Sequence, residues 1–321
     1  MKSALFTTPY PEQIMTDAAT LIAKAHAITL LTHYKPDADG MAACAALAHI
    51  LEAHNKHTET IYPTQPDRPC KYQAPNVHIN THHQIPNLII SLDTATKERL
   101  YFPAAFSNIP LINIDHHVSN NLQATCHLIN PAASSTCEEL FVFLLHSFAS
   151  TIDQYVAEAL LLGMLYDSQM FRIQTTSART LRVAAHLMDY GANLFQLKNE
   201  LATITSPKVI AFWSKLLGNV VTAPSGKAAW VSITQADLKK HALTEAALAG
   251  FNNFLAEIYG VDIIIIFSEI AAGKTKVSLR SKVTNVNALA ARFGGGGHIN
   301  AAGILTDKPL EQMVKELTAG L

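Results

Sequence analysis

The sequence has little net charge and few charged residues. Its 321 residues carry a formal net charge of -1, and charged residues make up 15% of the chain. A chain so close to neutral has no strong electrostatic field with which to hold a long nucleic acid or an anionic membrane. Neither is therefore expected as a partner, and any anionic ligand must be bound by a local site.

Cysteine motifs and long apolar runs are also missing. Cys44, Cys70, Cys126 and Cys137 form no CxxC pair. Cys44 and Cys137 lie in alanine- or leucine-rich helical segments that are typical of a protein core. The longest apolar runs, ALLLGML and VDIIIIF, are well short of the ~20 residues that a membrane span needs. The N-terminus is a poor match to a signal peptide. These absences predict a soluble, cytoplasmic protein.

What the first 190 residues do contain is an alternation of two patterns. Near-continuous apolar runs such as HAITLLTH, NLIISLD and PLINID alternate with helical stretches such as MAACAALAHILEAH and STCEELFVFLLHSF. This pattern predicts an α/β domain, with a parallel sheet that has helices on both faces. Ligands then belong at the carboxyl ends of the strands.

The pattern changes beyond Gly191, and the turn residues APSG at 223–226 precede a new strand, KAAWVSI. The remaining sequence predicts a smaller α+β domain: a strand at 227–233, a helix ending near Tyr259, the strands VDIIIIF and TKVSLRS, the helix NVNALAARF, a glycine run and a terminal helix. Chain length alone also favours two domains. We therefore divide the chain into a first domain at 1–192, a linker at 193–224 and a second domain at 225–321.

Acidic residues and histidines stand where the predicted strands end. They are His33, Asp37 and Asp39 after the first strand, Asp93 after the third, and Asp115, His116 and His117 after the fourth, with Asp167 after the helix ALLLGMLY. Because a parallel sheet opens its ligand crevice at these ends, residues distant in sequence are expected to converge there.

Clustered aspartates would raise one another's pKa strongly unless cations neutralised them. Oxygen-rich ligands with a minority of imidazole and no thiolate favour Mn²⁺ or Mg²⁺ over structural zinc. Two such ions can stabilise the entering and leaving oxygens of an in-line phosphoryl displacement. The pattern therefore predicts a two-metal site.

Each of these residues alone has a simpler interpretation. A single aspartate after a strand is often a helix cap. His82 and His83 show that adjacent histidines need not form a site, because they lie in a polar loop before a strand and are predicted to be on the surface. The expected convergence on one crevice favours the metal site.

The glycine run is the second informative stretch. In RFGGGGHINAAG, residues 292–303, consecutive glycines allow close backbone approach and can form an anion-binding nest. His298 directly follows the run, and Arg280 ends a predicted strand from which it could bind a phosphate in bidentate fashion. The alternative is a flexible loop or a tight hairpin.

These motifs resemble those of the DHH phosphoesterase superfamily. HYKPDAD, the LD at 92–93, DHHVSN and LYDS resemble its four motifs, and GGGGHINAAG resembles the phosphate-binding motif of its associated C-terminal domain. Together they cover almost the whole chain in the same order. Their order and spacing look most like the NrnA subgroup, which hydrolyses very short RNA and 3'-phosphoadenosine 5'-phosphate.

The resemblance implies roles for particular residues and an active site in the cleft between the two domains. Metal ligation is implied for His33, Asp37, Asp39, Asp93, His116 and Asp167, with Asp93 bridging. The catalytic set would be Asp93, with His117 facing the substrate phosphate and Asp115 orienting the histidines. Substrate contacts are implied for Ser168, Arg280, Ser281, Gly295, Gly296, Gly297 and His298.

Two departures from the family pattern stand out. Ser168 and Gln169 replace a common Thr-Gly pair, so the hydroxyl is kept but the flexibility of glycine is lost. Lys35 replaces a small polar residue in the first motif, and the sequence leaves open whether it contacts substrate or is solvated.

The resulting hypothesis is a two-metal phosphoesterase, most simply manganese-dependent, acting on short RNA or mononucleotides. A pyrophosphatase or exopolyphosphatase would share the metal site, but it needs more cations than the second domain offers. A nucleotide sensor without turnover is a further alternative, although a sensor need not keep the full set of carboxylates. The sequence leaves a homodimer open.

Overall fold

The computed structural model describes residues 6–201, 206–248, 250–258, 260–319 and 321. The chain divides into two compact units, Met1–Ala202 and Thr203–Leu321, and each is described by itself. The division at 1–192, 193–224 and 225–321 stays a prediction. Residues 202–205 of the predicted linker lie outside the described residues.

The first unit is built on a parallel sheet of six strands in the order β3-β2-β1-β4-β5-β6. All five neighbouring pairs are parallel. The strands are β1 (Ala27–Leu31), β2 (His57–Tyr62), β3 (Val77–Ile79), β4 (Leu88–Leu92), β5 (Leu111–Asp115) and β6 (Cys126–Ile129). The predicted parallel sheet is confirmed, although the sequence pattern missed the short strands β3 and β6.

The strand order changes direction between β1 and β4. The chain proceeds outward from β1 to β3 and then returns to place β4 on the other side of β1. In such sheets the crevice outside the carboxyl ends of the two central strands is the usual ligand position. Two of the predicted site stations follow these two strands.

Six helices belong to this unit: α1 (Glu12–Lys24), α2 (Ala38–Ala53), α3 (Thr136–Ser147), α4 (Gln154–Asp167), α5 (Ala178–Asp189) and α6 (Leu194–Leu201). Helix α2 is rich in alanine, and its small side chains allow α4 to pack closely against it. Helices α1, α5 and α6 were not predicted. Helix α6 lies in the predicted linker but buries Leu197 in the core of the first unit.

The two faces of the sheet are covered differently. Ile28, Leu30 and Ile90 lie in one large core together with residues of the α-helices. On the other face, Leu31 and Ile89 lie in a smaller cluster that includes Phe106. The sequence predicts helices on both faces, and in this cluster the described helical residue is Phe106 of the short 3₁₀ helix Ala104–Phe106.

The second unit has a mixed sheet of six strands in the order β11-β12-β10-β9-β8-β7. Its strands are β7 (Val221–Thr222), β8 (Ala228–Ile233), β9 (Ile263–Ala271), β10 (Lys274–Ser281), β11 (Gly296–His298) and β12 (Ala301–Thr306), and only the β8–β9 pair among them is parallel. Its helices are α7 (Pro207–Gly218), α8 (Gln235–Lys240), α9 (Phe251–Ile258), α10 (Val286–Ala291) and α11 (Leu310–Thr318). The predicted α+β pattern is confirmed. Tyr259, at the predicted end of a helix, lies outside the described residues.

The glycine run is part of this sheet. Residues 296–298 form β11, which pairs antiparallel with β12. The sequence pattern predicted a glycine run between two helices and no strand there. The structure has the alternative, a tight hairpin of β11 and β12. In AAGILT, Ala302 and Ile304 are buried while Gly303 and Leu305 are exposed. This alternation is typical of a strand and could have indicated the partner of β11.

All four cysteine side chains are buried and unpaired. Cys44 and Cys137 have no exposed surface, which confirms the prediction that they belong to the core. Within the described ranges, no helix has both the length and the apolar content required to cross a membrane.

Candidate active site

The predicted residues of the first unit come together beside the carboxyl ends of β1, β4 and β5. His33 follows β1, Asp93 follows β4, and His116 follows β5. The N-terminal turn of α2 brings Asp39, and the last residue of α4 brings Asp167. The convergence that the sequence predicted is therefore present.

Asp93 is at the centre of this cluster. Its Oδ2 lies 3.3 Å from Nε2 of His33, and its Oδ1 lies 3.6 Å from Nε2 of His116. The hydroxyl of Thr136 donates to the same Oδ1 at 3.1 Å. The two oxygens of one buried carboxylate thus face histidines delivered by two different strands.

The backbone at Asp93 is unusual. Its φ angle is +58°, in the left-handed region that L-residues rarely adopt. Its amide remains in the sheet, donating to the carbonyl of Ile114 at 3.1 Å. Such conformations are costly and occur mainly at functional sites, where the surroundings hold them in place. Here the turn directs the carboxylate towards both histidines.

Asp37 and Asp39 each serve as a helix cap as well as a member of the cluster. Oδ1 of Asp37 accepts from the amides of Asp39 and Gly40 at 3.1 and 3.3 Å, and this oxygen lies 3.7 Å from Nε2 of His33. Asp39 accepts from the amides of Thr136 and Cys137 at 2.7 and 3.1 Å, at the start of α3. The two aspartates therefore bond the ends of helices and also belong to the cluster.

His116 and Asp167 form the other side of the cluster. Nε2 of His116 lies 3.0 Å from Oδ2 of Asp167. The ring is turned so that Nδ1 faces the carbonyl oxygen of Ala133 at 3.4 Å. Asp167 ends its helix beside this ring, and Asp39, His116 and Asp167 have donor atoms close enough together to hold a metal ion.

His117 has a different environment from His116. Its Nδ1 lies 2.7 Å from Oδ1 of Asp115 and 3.8 Å from Oδ1 of Asp93. The side-chain amide of Asn120 donates to the other oxygen of Asp115 at 2.5 Å. Asp115 thus orients His117, while the ring of His116 is oriented by a backbone carbonyl. Of the two histidines, Asp115 contacts His117, and its role in orienting the histidines stays a prediction.

Burial and like charge perturb the titration of the cluster. Burial raises the pKa of Asp39 well above its ordinary value, and the charges of Asp93 and Asp167 raise it further. Burial alone would lower the pKa of His33 and His116, but hydrogen bonds and charges of the neighbouring aspartates raise both to about 10. The cluster is therefore strongly attractive to cations.

The histidines are arranged as metal ligands are. In metal sites, one ring nitrogen binds the ion while the other donates to a carbonyl or carboxylate oxygen. Nδ1 of His33 lies 2.8 Å from the carbonyl oxygen of Tyr34, and Nδ1 of His116 faces that of Ala133. Nε2 of each ring then faces carboxylate oxygens 3.0 to 3.7 Å away. The donor set and its geometry fit divalent cations.

Two glycines allow this close packing, and the sequence analysis did not single them out. A Cβ at Gly163 of α4 would lie 2.4 Å from Sγ of Cys137 and 2.7 Å from Oδ1 of Asp39. A Cβ at Gly40 of α2 would lie 2.3 Å from the hydroxyl of Thr32. The only sequence signal was a glycine inside a helical pattern, which often marks close approach.

Arg99 is a further residue that the sequence analysis missed. Its Nη2 lies 3.0 Å from Nδ1 of His33, and its carbonyl accepts from the amide of Tyr34 at 2.7 Å. It lies in a short 3₁₀ helix after β4, where no motif pointed to it. It is an exposed cation adjacent to the carboxylate cluster.

Ser168 and Lys35 have other partners in the structure than the residues of the cluster. Ser168 has no exposed surface, and its hydroxyl donates to the carbonyl of Met164 at 2.5 Å and accepts from the amide of Phe171 at 3.0 Å. Lys35 is exposed and lies 3.6 Å from Asp67. Substrate contact by Ser168 stays a prediction that its burial does not support.

In the second unit, Arg280 and the glycine hairpin lie in one sheet. The backbone of His298 on β11 pairs with Ala301 on β12, which in turn pairs with Arg280 on β10. These positions form one row across three strands. The side chain of His298 lies outside the described part of the chain.

The neighbouring predicted residues have structural partners. The hydroxyl of Ser281 donates to Asp262 at 2.8 Å. A Cβ at Gly295 would lie 2.2 Å from the carbonyl oxygen of Gly303, and one at Gly297 would lie 2.4 Å from that of Ala301. Glycine is thus required at 295 and 297 by packing against β12, whereas Gly296 has no such restriction.

Both units are similar to known proteins. Residues 27–164 match the DHH family, N-terminal domain, and residues 226–319 match the DHHA1 domain. The chain is 29% identical over 293 residues to the probable bifunctional oligoribonuclease and PAP phosphatase NrnA of Streptococcus mutans, covering 90% of this chain and 93% of that protein. It is 27% identical over 280 residues to the bifunctional oligoribonuclease and PAP phosphatase NrnA of Bacillus subtilis, covering 86% and 88%.

A solved structure shares the fold. The crystal structure of an exopolyphosphatase-related protein from Bacteroides fragilis has a TM-score of 0.88 to this chain at 22% identity, covering 98% of each chain.

Proposed function

We propose that this protein is a metal-dependent hydrolase of short oligoribonucleotides and of 3'-phosphoadenosine 5'-phosphate. The chain belongs to the DHH family and carries a DHHA1 domain. These substrate classes are the ones in the names of the S. mutans and B. subtilis relatives, which are similar over most of their length. The observation that carries the proposal is the position of Asp93 between His33 and His116.

Two groups of residues would hold two divalent cations. One group is His33, Asp37 and Asp93, and the other is Asp39, His116 and Asp167. Because Asp93 also faces His116, it is the candidate bridging ligand. Carboxylate oxygens outnumber imidazoles and no thiolate takes part, which favours Mn²⁺, with Mg²⁺ as the alternative. When bound, such cations would stabilise charge on the phosphoryl oxygens and activate water.

His117 is the proposed residue for contact with the substrate phosphate. Asp115 engages its Nδ1, so Nε2 is left to face a substrate. The hydrogen bond that Nδ1 of His117 donates to Asp115 raises the pKa of His117 above its ordinary 6.5 and thereby favours the imidazolium. An imidazolium can donate to a phosphate oxygen or pass its proton to the leaving ribose oxygen.

Arg280 is the proposed phosphate contact of the second unit, together with Gly296 and His298. Arg280 is half-buried on β10, and burial lowers the pKa of its guanidinium. A guanidinium can bind a phosphate in bidentate fashion. Ser281 already donates to Asp262, so its proposed contact is the weaker part of this set. Replacing Arg280 by alanine should weaken substrate binding and leave Mn²⁺ binding unchanged.

A substrate panel tests the proposal. Product release is measured from a diribonucleotide, 3'-phosphoadenosine 5'-phosphate, pyrophosphate and polyphosphate, with Mn²⁺ or with a chelator. We expect turnover of the first two only, abolished by the chelator, and reduced in His117→Ala, which should still bind Mn²⁺. Turnover of pyrophosphate or polyphosphate alone would establish the alternative enzyme class. Binding of nucleotides without any turnover would indicate a sensor.

A further inference from the structure

One short segment supports three of the proposed ligands at once. We define the support segment as residues 133–137, the end of a loop and the first turn of α3. Its amides at 136 and 137 donate to Asp39, and its Thr136 hydroxyl donates to Asp93. Its carbonyl at 133 faces Nδ1 of His116. A displacement of this segment would therefore move ligands that come from α2, β4 and β5.

The support segment is itself held from behind by Glu138. This carboxylate has no exposed surface, and its Oε2 accepts from the amide and the hydroxyl of Ser134, both at 2.8 Å. Ser134 is the residue directly after Ala133, so Glu138 fixes the peptide whose carbonyl orients His116. The same oxygen accepts from the hydroxyl of Thr180 on α5 at 2.9 Å.

Arg179 on α5 completes the arrangement. One guanidinium nitrogen donates to Glu138, and the other donates to Glu139 at 2.7 Å. Both carboxylates are fully buried and adjacent in sequence, so without a cation their mutual repulsion and their burial would be costly. A planar guanidinium can bind two carboxylates at once, whereas the ammonium of lysine is a single point charge.

Glu139 provides an internal comparison. It shares Arg179 with Glu138, but its other partners are the Tyr10 hydroxyl and the side-chain amide of Asn130, which donates at 2.9 Å. Among the described contacts, the carboxylate of Glu139 accepts no hydrogen bond from residues 133–137, and it reaches the support segment indirectly, through Asn130, whose carbonyl accepts from the amide of Ala133 at 3.0 Å. The two glutamates thus differ in what they hold, although they are alike in burial, charge and arginine contact.

We propose that Arg179 and Glu138 are positioning residues for the metal site, which act through the support segment on His116, Asp39 and Asp93. A buried ion pair contributes little net stability compared with a well-packed apolar replacement, and conformational specificity is one reason for keeping it. This inference rests on the proposed function, because it assigns the network to the same metal site. It predicts an effect on metal affinity beyond any effect on folding.

The test measures Mn²⁺ binding and stability separately. Glu138→Gln, Glu139→Gln, Arg179→Met and Arg179→Lys are made in the full-length chain and titrated with Mn²⁺ alone, with free Mn²⁺ followed by electron paramagnetic resonance. Urea unfolding of each variant is measured in parallel. Loss of an outer-shell partner weakens metal affinity about 10- to 100-fold, and we expect E138Q and R179M in that range. We expect R179K to recover part of the affinity and E139Q to lose less than E138Q.

Two further variants keep the inference open to refutation. Asp237→Asn breaks the Lys215–Asp237 pair of the second unit, a 3.0 Å contact, and should change stability without changing Mn²⁺ affinity. Ser134→Ala removes one bond to Glu138 and decides the question if the other variants do not fold.

The outcomes separate this inference from the proposed function. If folded E138Q, R179M and S134A bind Mn²⁺ as the wild type does, the positioning role is wrong and the proposed function stands. If the wild type binds no divalent metal, the proposed metal site is wrong and this inference falls with it. An equal loss of affinity in E138Q and E139Q would also overturn it, because the support segment would then not be the route.

Discussion

Asp93 is the residue on which the proposed metal site depends most, because its two oxygens face histidines from different strands. Asp93→Asn removes the charge and keeps the shape, and asparagine tolerates the left-handed backbone that this position requires. We expect Mn²⁺ affinity and turnover to fall by at least about 100-fold. About 100-fold is the largest loss expected when a residue that only hydrogen-bonds to a metal ligand is replaced. Metal titration and diribonucleotide hydrolysis measure this.

Asp153→Asn is the matched control for that variant. Asp153 caps α4, the helix that carries Asp167, by accepting from the amide of Val156 at 3.0 Å. Asparagine is an equally good cap, so the same chemical change should leave Mn²⁺ binding intact here. Normal Mn²⁺ occupancy and activity in D93N would show that Asp93 is not a ligand.

Gln169 shows what the missing glycine of the fourth motif means for the backbone. Gln169, Met170 and Phe171 have φ angles of 49°, 62° and 65°, a left-handed run directly after the site residue Asp167 and its neighbour. A left-handed conformation costs an L-residue roughly 1–2 kcal/mol, and glycine costs roughly 0.5–1 kcal/mol in chain entropy. We expect Gln169→Gly to raise the free energy of unfolding by up to about 1 kcal/mol.

Gln169→Ala is the control, since it keeps the Cβ and removes the exposed side chain. Urea unfolding of both variants should show a gain only for glycine. A larger loss of stability in Q169G than in Q169A would mean that the backbone at 169 is not strained.

At the scale of elements, the loop after β10 depends on one carboxylate. Asp262 accepts from the hydroxyl of Ser281 at 2.8 Å and from the amides of Lys282 and Val283 at 3.0 and 2.8 Å. Burial alone would raise the pKa of Asp262, but these bonds and those of Thr284 lower it from 3.8 to about 2. The loop directly follows Arg280, so its anchoring bears on the proposed phosphate contact.

A depressed folded-state pKa means that the charged form stabilises the fold. The contribution is complete above the unfolded pKa of 3.8 and is lost as pH falls through the folded value of about 2. We expect Asp262→Asn to lower the free energy of unfolding by about 1–2 kcal/mol at neutral pH. The difference between wild type and variant should shrink as pH is lowered over that window. A difference that does not depend on pH would contradict the assignment.

The sequence predicted the elements whose pattern lies within the element itself, and it missed those that depend on a distant partner. The apolar runs of β1, β4 and β5 are long enough to be recognised, and the aspartates and histidines after them were found from those strand ends. Strand β3 has three half-buried residues, VHI, which show no period. Its strand conformation depends on pairing with β2, and the sequence of residues 77–79 contains no sign of that pairing.

The supporting residues were missed for a similar reason. The role of Arg179 depends on a salt bridge to Glu138, 41 positions earlier in the chain. The need for glycine at 163 comes from Cys137 and Asp39, which pack against it from other helices. No spacing rule connects such residues, so a sequence pattern can indicate the proposed ligands but not the residues that hold them in place.

For the whole molecule, the near-neutral charge leads us to expect a short substrate. The net charge is -1, and in the described part of the second unit the exposed cations near the glycine hairpin, Lys282 and Arg292, form no extended basic track. Proteins that follow long single strands have such a track, together with stacking aromatics, and lose affinity steeply with salt. We expect the rate per end to fall sharply from RNA of about two to five nucleotides to long strands.

The salt dependence provides an independent measurement. Binding of a dinucleotide should have a shallow slope, corresponding to about one or two phosphates. Comparable rates per end on RNA of about 5 and about 25 nucleotides, or a steep salt slope, would instead indicate a processive exonuclease.

Asp37 and Asp39 each bond a helix terminus with a carboxylate that is also a proposed metal ligand, and this would couple cation binding to melting. Their helices α2 and α3 form much of the large core, so whatever orders the two carboxylates also orders the first unit. A ligand bound only by the native state adds RT ln(1 + [L]/Kd), about 2.7 kcal/mol at a concentration 100 times Kd. Calorimetry should therefore show the melting temperature of the first unit rising with Mn²⁺ concentration, with no rise in D93N, so that a thermal shift reports the Kd without any substrate.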